Sequence, residues 1–275
     1  MAEEEIPPAA SPPKGSESPE RPVVQVHHLV AKYGERTILN DVSCEVRRGE
    51  VFVIVGGSGC GKTTLMRHMI GLLRPTAGRV VIEGEDITHA DEDALGRIQR
   101  RLGVTFQAGA LFGSLTLAEN VALPLEEYTA LSPEMIDVVV RLKLAMVKLD
   151  GFEPLLPAEL SGGMKKRAAL ARAMALDPAI LFLDEPSAGL DPVTSAELDD
   201  LIVQLSRSLR TTMVVVTHEL PSIFTIADRV IMLDSVTKKI IAEGDPKELR
   251  DHSTDPRVHN FFNRKAESDA AAGGQ

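Results

Sequence analysis

The run Gly56-Gly57-Ser58-Gly59-Cys60-Gly61-Lys62-Thr63, directly after the apolar segment Val51-Phe52-Val53-Ile54-Val55, constrains this chain more than any other stretch. It has the form G-x-x-x-x-G-K-[ST], a phosphate-cradling loop between a buried strand and a helix. Without Cβ atoms the backbone can curl through positive φ, so that consecutive N–H groups converge on an anion. A helix expected from Thr64 to Leu73, with Leu65, Met66, Met69 and Ile70 on one side, adds its positive end. On this reading Gly56, Gly57, Ser58, Gly59, Cys60, Gly61, Lys62, Thr63 and Thr64 bind a nucleotide, Lys62 at the β- and γ-phosphates. The Thr63 hydroxyl completes the shell of a Mg²⁺ ion. If Cys60 faces the nucleotide, alkylating it blocks binding and ATP protects it.

Composition narrows the field. The 275 residues carry a formal net charge of −10, with 40 acidic and 30 basic side chains, which disfavours a nucleic-acid surface or direct docking on an anionic membrane. Only Cys44 and Cys60 are present, and a disulfide through the phosphate loop would obstruct it, so a reducing cytosolic setting is expected. No apolar run approaches the roughly 18 to 20 residues of a membrane span. Residues 1–22 are rich in proline and glutamate and are expected to be a disordered acidic tail.

From Val23 the pattern is strand-like, with segments at 23–30, 37–39 and 42–46 suggesting antiparallel pairing ahead of the phosphate loop. Between them Tyr33 offers a flat ring on which a base can stack, or is an ordinary loop tyrosine. Further on, Leu102 to Phe106 reads as a strand ending at Gln107, whose amide can touch both Mg²⁺ and a water molecule, or is a plain loop residue. Residues 116–176 read as helical, from apolar positions such as Met135, Val138, Val139, Leu142 and Met146 at three- and four-residue spacing. Within that block Ser161 is a good N-cap, and Gly162 and Gly163 free N–H groups for a second anion site. Lys165, Lys166 and Arg167 then oppose the helix dipole, a conflict that a phosphate or acidic neighbours relieve.

The continuous apolar run Ala179 to Leu183 has the character of a strand buried in a parallel sheet, and it ends in Asp184-Glu185. Adjacent carboxylates there are costly to desolvate and are poor packing residues. Their roles divide: Asp184 holds Mg²⁺ through water, and Glu185 polarises the water that attacks the γ-phosphate. A tight turn ends at Asp191-Pro192. The strand Thr212 to Val216 leads to His218, at the sheet edge where ligands bind in open α/β folds. Alone, such a histidine is more often structural; beside Lys62, Asp184 and Glu185 a γ-phosphate contact is favoured.

Taken together, Tyr33, the loop 56–63, Gln107, Leu160-Ser161-Gly162-Gly163, Ile180 to Glu185, Ser187 to Asp191 and His218 resemble the ATPase subunit of ABC transporters over roughly 23–250. The resemblance implies a P-loop NTPase with a RecA-like core, an antiparallel β subdomain and an inserted helical subdomain at about 108–176, in a domain spanning 23–252. A short helix and low-complexity tail over 253–275 would follow. It implies ATP and Mg²⁺ as ligands and a homodimer in which Ser161, Gly162 and Gly163 of one copy cover the ATP on the other. Thr63, Gln107 and Asp184 would hold the metal, and Glu185, His218, Gln107 and Asp191 would serve catalysis.

Within the superfamily, Phe106 to Phe112, Glu119 to Leu125, Met164 where most relatives carry glutamine, and Asp255-Pro256-Arg257-Val258 with Phe261 resemble the branch serving Mce-type phospholipid transport, the Mla ATPases. That branch implies a MlaE-like permease touching residues 107–125, a MlaD-like Mce-domain protein and a MlaB-like STAS-domain subunit. It also implies a peripheral position on the cytoplasmic face of the inner membrane. The alternatives are an importer ATPase for an amino acid or metal, and a non-transport ABC protein of translation or DNA repair.

Overall fold

The computed structural model describes residues 22–107 and 109–265; the terminal tails expected from composition lie outside the described residues. Val24–Tyr33 (β1) and Arg36–Val46 (β2) form an antiparallel hairpin, so the two short segments expected at 37–39 and 42–46 run together as one strand. After the turn at Arg48-Gly49-Glu50 comes Val51–Gly56 (β3), buried at every position, then the phosphate loop and Lys62–Met69 (α1). Ala77–Ile82 (β4) and Glu85–Asp86 (β5) complete a sheet of order β2-β1-β4-β5. Glu92–Gln99 (α2) is capped by the Asp91 carboxylate, which accepts from Ala94 N, and leads into Leu102–Thr105 (β6).

The helical segment consists of three helices. Leu117–Tyr128 (α3) opens with a reciprocal capping box between Thr116 and Glu119; Pro133–Met146 (α4) follows the N-cap Ser132; Gly162–Ala173 (α5) follows the N-cap Ser161. Between α4 and α5 the chain leaves the helical path, apart from a single 3-10 turn at Pro157–Glu159. Gly151, Pro154 and Pro157 account for this, since proline lacks the donor a helix interior needs.

The second sheet is completed by Ile180–Asp184 (β7), Thr212–Val216 (β8), Arg229–Leu233 (β9) and the antiparallel edge strand Ile240–Gly244 (β10), in the order β10-β9-β3-β8-β7-β6. Pro192–Leu209 (α6) connects β7 to β8 and Leu220–Ile226 (α7) connects β8 to β9. Each strand from β9 to β6 pairs in parallel with its neighbour, and β3, β7, β8 and β9 are buried throughout. Alternation sorts their side chains between two cores. Val51, Val53, Val55, Leu181, Leu183, Met213 and Val215 pack with the helices, while Phe52, Ile54, Phe182, Val214 and Val216 pack with α1 and the hairpin. Pro246–His252 (α8) and Pro256–Phe262 (α9) close the described chain, and Val258 and Phe262 of α9 are built into the helical core.

Among the buried charged side chains, Arg229 and Asp199 interrupt the packing away from the cavity. Arg229, at the start of β9, holds Glu50 through both Nε and Nη2, donates to the Glu45 carbonyl, pairs with Glu243 and lies 4.8 Å over the Phe52 ring. It joins the edge of one sheet to the hairpin of the other. Asp199 on α6 is only 3% exposed, and its Oδ1 has no partner among the described residues. Burial pushes its carboxyl up to about 6; the nearby Ser222 hydroxyl acts the other way, and Asp200 and Glu219 add to the rise. A carboxyl whose folded pKa exceeds its unfolded one withholds stability at neutral pH and returns it as pH falls through about 6 toward 4. Asp199→Asn should therefore raise the unfolding free energy at pH 7.5 by roughly 2 to 3 kcal/mol, and flatten its pH dependence between 4 and 7 as followed by urea titration.

Candidate nucleotide site

The carboxyl ends of β3, β7 and β8 share one edge because their registers align Ile54 with Val216 and Asp184 with Val216. A cavity of about 680 Å³ opens there, walled by the phosphate loop, Thr64, Gln107, Glu185 and His218. Gly56 and Gly61 have φ values of 143° and 109°. A Cβ on Gly56 would stand 2.4 Å from the Leu233 carbonyl oxygen, and one on Gly61 would stand 2.8 Å from Leu39 Cδ2. Only glycine lets the loop close against both the sheet and the hairpin.

Lys62 Nζ donates to the carbonyls of Gly56 and Gly57 at 2.9 and 3.2 Å, folding back over its own loop. Thr63 Oγ1 donates to Asp184 Oδ1 at 3.0 Å. Asp184 is buried, and desolvation raises its carboxyl above the usual range, with the Thr63 hydroxyl opposing. Glu185 is 8% exposed and sits at φ 48°, a left-handed conformation uncommon for a residue with a side chain. Its Oε1 meets His218 Nδ1 at 2.8 Å, while its Oε2 is buried without a partner among the described residues.

The donor set suits a phosphorylated ligand with a hard divalent cation. A hydroxyl (Thr63), a carboxylate (Asp184) and an amide (Gln107) are oxygen donors of the kind Mg²⁺ accepts alongside water and substrate phosphate, without an all-protein cage. The orphaned Glu185 oxygen beside the cavity is an acceptor waiting for a proton donor such as water.

The remaining expected residues are placed elsewhere. Tyr33 is 53% exposed at the hairpin turn, paired across it with Arg36, which lines the cavity together with Ile38. Asp191 is exposed and caps α6, accepting from Val193 and Thr194 N–H groups at 3.1 Å. Ser161 caps α5 through a bond from Met164 N, and neither it nor Gly162 and Gly163 lines this chain's own cavity. A Cβ on Gly163 would come within 2.4 Å of Thr194 Cγ2, so glycine there lets the start of α5 lie against α6. The cations after Ser161 are satisfied in different ways: Arg167 pairs with Glu197, and Lys166 donates to the backbone carbonyls of Gln107 and Glu185. Arg172, two turns along α5, holds the carbonyls of Gly109 and Ala110.

Sequence reasoning missed three contributors. Phe261 on α9 lines the cavity from a segment more than 150 residues from Gln107. Asn120, fully buried, accepts from Phe112 N and donates to three carbonyls between Phe112 and Thr116, fixing the stretch after Gln107. Arg36, just past the hairpin turn that follows Tyr33, carries only the ordinary signature of a strand charge.

A glycine-cradled phosphate loop at the edge of a parallel sheet, facing paired carboxylates, defines a P-loop nucleotide-binding protein. Comparisons with known proteins agree. The sequence profile of the family described as ABC transporter matches residues 39–188. The chain is 40% identical over 247 residues to the intermembrane phospholipid transport system ATP-binding protein MlaF of Haemophilus influenzae, covering 90% of this chain and 92% of that one. It is 42% identical to the probable ribonucleotide transport ATP-binding protein mkl of Mycobacterium tuberculosis, covering 87% of this chain and 66% of that one. Among solved structures, a dimeric ATP-binding cassette in a post-hydrolysis state bound to ADP and Pi matches with a TM-score of 0.74 at 33% identity, covering 81% of this chain and 98% of that one. The chain belongs to the ABC transporter family, as an ATP-hydrolysing subunit.

The structure corrects one expectation. Cys60 contributes its backbone to the loop, but its sulfur is fully buried in the core, and burial raises its thiol pKa. Cys44 is also buried, its pKa pushed up to about 12. Neither thiol presents a nucleophilic thiolate to solvent. In the folded protein both should alkylate with N-ethylmaleimide at least about tenfold more slowly than in urea, with no protection by ATP, as read by intact-mass spectrometry. Rapid, ATP-protected labelling would contradict the burial.

Proposed function

We propose that this chain hydrolyses MgATP to energise the movement of phospholipid between membranes, as the ATPase subunit of an Mla-type transporter. The observation that carries the hydrolytic reading is the state of Glu185: one oxygen oriented by His218, the other buried and unpartnered beside the cavity that holds Lys62, Thr63 and Gln107. A carboxylate so placed accepts a proton from a water molecule aligned with the γ-phosphate, and the left-handed backbone at Glu185 sets the aim of its side chain. His218 steadies that carboxylate through Nδ1, while its ring is about half exposed and its Nε2 lies 3.6 Å from Glu219 Oε1. Lys62 exchanges its two loop carbonyls for phosphate oxygens. Mg²⁺, held by Thr63 and Asp184 with Gln107 completing the set, would neutralise charge on the phosphates.

The phospholipid cargo rests on the 40% identity with the Haemophilus MlaF over nearly all of both chains. The mycobacterial relative, named for ribonucleotide transport, supports a second reading in which the same ATPase serves another cargo. In the favoured assembly, two copies meet with Ser161, Gly162 and Gly163 of each covering the nucleotide of the other. Such an arrangement gives a purpose to a capped, glycine-rich helix start that leaves its own cavity uncovered, and to Asp191 at the start of the neighbouring helix. The further partners are a MlaE-like permease, a MlaD-like Mce protein and a MlaB-like STAS subunit, with attachment to the cytoplasmic face of the inner membrane through the permease. Among the described residues no helix is long and apolar enough to cross a membrane.

Glu185→Gln should lower turnover at least about 100-fold while leaving ATP affinity within a few-fold, and MgATP should convert the variant to a dimer in size-exclusion chromatography. Normal hydrolysis by a monomeric variant would falsify the assignment. For cargo, the complex purified with its permease is expected to release phospholipid on extraction; a bound nucleotide or amino acid in its place overturns the lipid reading.

A further inference from the structure

Four contacts fix the backbone and carboxylate of Glu185, one of them local: Ala188 N donates to its carbonyl at 3.3 Å. The other three reach further: its N–H donates to Val216 O at 2.8 Å, its carbonyl also accepts from Lys166 Nζ at 3.0 Å, and its Oε1 meets His218 Nδ1 at 2.8 Å. Two of these come from β8 and the segment just beyond it, within the sheet that already carries Glu185. Lys166 comes from α5. A residue with a Cβ held at φ 48° stores roughly 1 to 2 kcal/mol of strain and stays there only while its surroundings fix it.

The same ammonium donates to Gln107 O at 2.6 Å. Lys166 thus links two residues of the cavity wall that lie on different strand ends, through their backbones rather than their functional groups. Lys166 lines a narrow void together with Phe106, Ala169, Leu170, Leu183 and Pro186. Desolvation lowers its pKa, with the carboxylates of Glu185 and Asp184 opposing. A half-buried ammonium is an expensive way to fill space, since burying a charge costs several kcal/mol without compensation. Here the compensation is two carbonyl bonds, at the two residues best placed to touch an attacking water.

Helix α5 carries two independent attachments to the segment after β6: Lys166 at Gln107, and Arg172 at Gly109 and Ala110. That segment therefore rides with α5. Lys166 alone among these also reaches the end of β7. It stands about 7.5 Å along the helix from Ser161, at 1.5 Å per residue. A shift of the helix start is carried by a rigid element to the ammonium, and from there to both carbonyls.

We infer that Lys166 is a positioning residue for hydrolysis, a charged strut that ties the aim of Glu185 and the place of Gln107 to the orientation of the helix bearing Ser161, Gly162 and Gly163. It rests on the reading of Glu185 as the group that activates water. In the paired assembly, the helix start that covers the partner's nucleotide adjusts, through Lys166, the catalytic carboxylate of its own chain. Lys166 is thereby a link between the two nucleotide sites, and the one from α5 that reaches Glu185 itself.

The test uses the full chain with three substitutions. Lys166→Met keeps the apolar stem and removes the ammonium; Lys166→Arg keeps the charge and its donors; Lys166→Gln replaces Met should that variant fold poorly. Lys166→Met is expected to lower kcat about 10- to 100-fold, the scale of a small misplacement of a reacting group, while KM and equilibrium affinity for ATP change less than about threefold. Lys166→Arg should recover most of kcat. Without nucleotide, amide exchange in the peptide containing Gln107 should accelerate in Lys166→Met while exchange in β3 and β8 stays unchanged. A Lys166→Met or Lys166→Gln variant with kcat within twofold of the parent overturns the inference, as does a loss confined to ATP affinity and thermal stability. Glu185→Gln, measured in parallel, separates the two claims. If it retains turnover, the assignment of Glu185 fails and this inference falls with it; if it is inactive while Lys166→Met is not, only the strut is wrong.

Discussion

The parallel register of β3, β8 and β7 is the constraint on which the rest of the molecule depends. Ile54 stands against Val216, and Val216 against Asp184, so the phosphate loop, the carboxylate pair and the segment leading to His218 all leave the sheet at one edge. Two-sided burial enforces this register. Alternate residues of each strand belong to different cores, and a slip of one residue would exchange their faces. At about 1.5 to 3 kcal/mol for each buried aliphatic side chain, such a slip is prohibitive. The chemistry is therefore positioned by residues that never touch a ligand.

That edge is also where the fold tolerates its least comfortable groups. Asp184 and Glu185 are adjacent, buried and acidic, and Glu185 adds a left-handed backbone and an unpaired oxygen. Cations answer them from three directions: Lys62 from the loop, His218 from beyond β8 when it is protonated, and Lys166 from α5. None of the three forms a direct ion pair through the bare Glu185 oxygen. Local rules are broken here while neighbouring elements obey them, the pattern expected of a site shaped for a substrate.

Much of this is legible in the residues because it is local. A glycine loop between an apolar strand and a helix, a strand ending in two carboxylates, and a serine before paired glycines each announce themselves within a few positions. The rest depends on contacts across the chain. Which residues near the hairpin turn line the cavity depends on the register of β1 and β2, which carries shifts that no short window reveals: Arg36 and Ile38 line it, and Tyr33, paired with Arg36, is exposed. Phe261 reaches the loop only because Val258 and Phe262 anchor α9 in the core. Cys60 looks like a loop thiol in sequence, yet its sulfur fills the space left beneath Gly56, since a Cβ on that glycine would lie 2.8 Å from it. Within the helical stretch, apolar spacing alone does not mark where α4 ends; Gly151, Pro154 and Pro157 interrupt the backbone there.

The three cations after Ser161 illustrate how a breach of a local rule carries information. Lysine and arginine in the first turn of α5 oppose its dipole by a few tenths of a kcal/mol to about 1 kcal/mol each. An anion at the helix start is one remedy, but Lys166 and Arg167 instead extend sideways, to backbone carbonyls and to Glu197. That leaves the N–H groups of Gly162 and Gly163 and the dipole itself uncommitted at the helix start, while the charged side chains bind the helix to the catalytic edge. The start of α5 can thus meet a phosphate without surrendering its grip on Glu185. A ligand that pulls on one end of this helix does work at the other, and for a rigid helix the two cannot be separated.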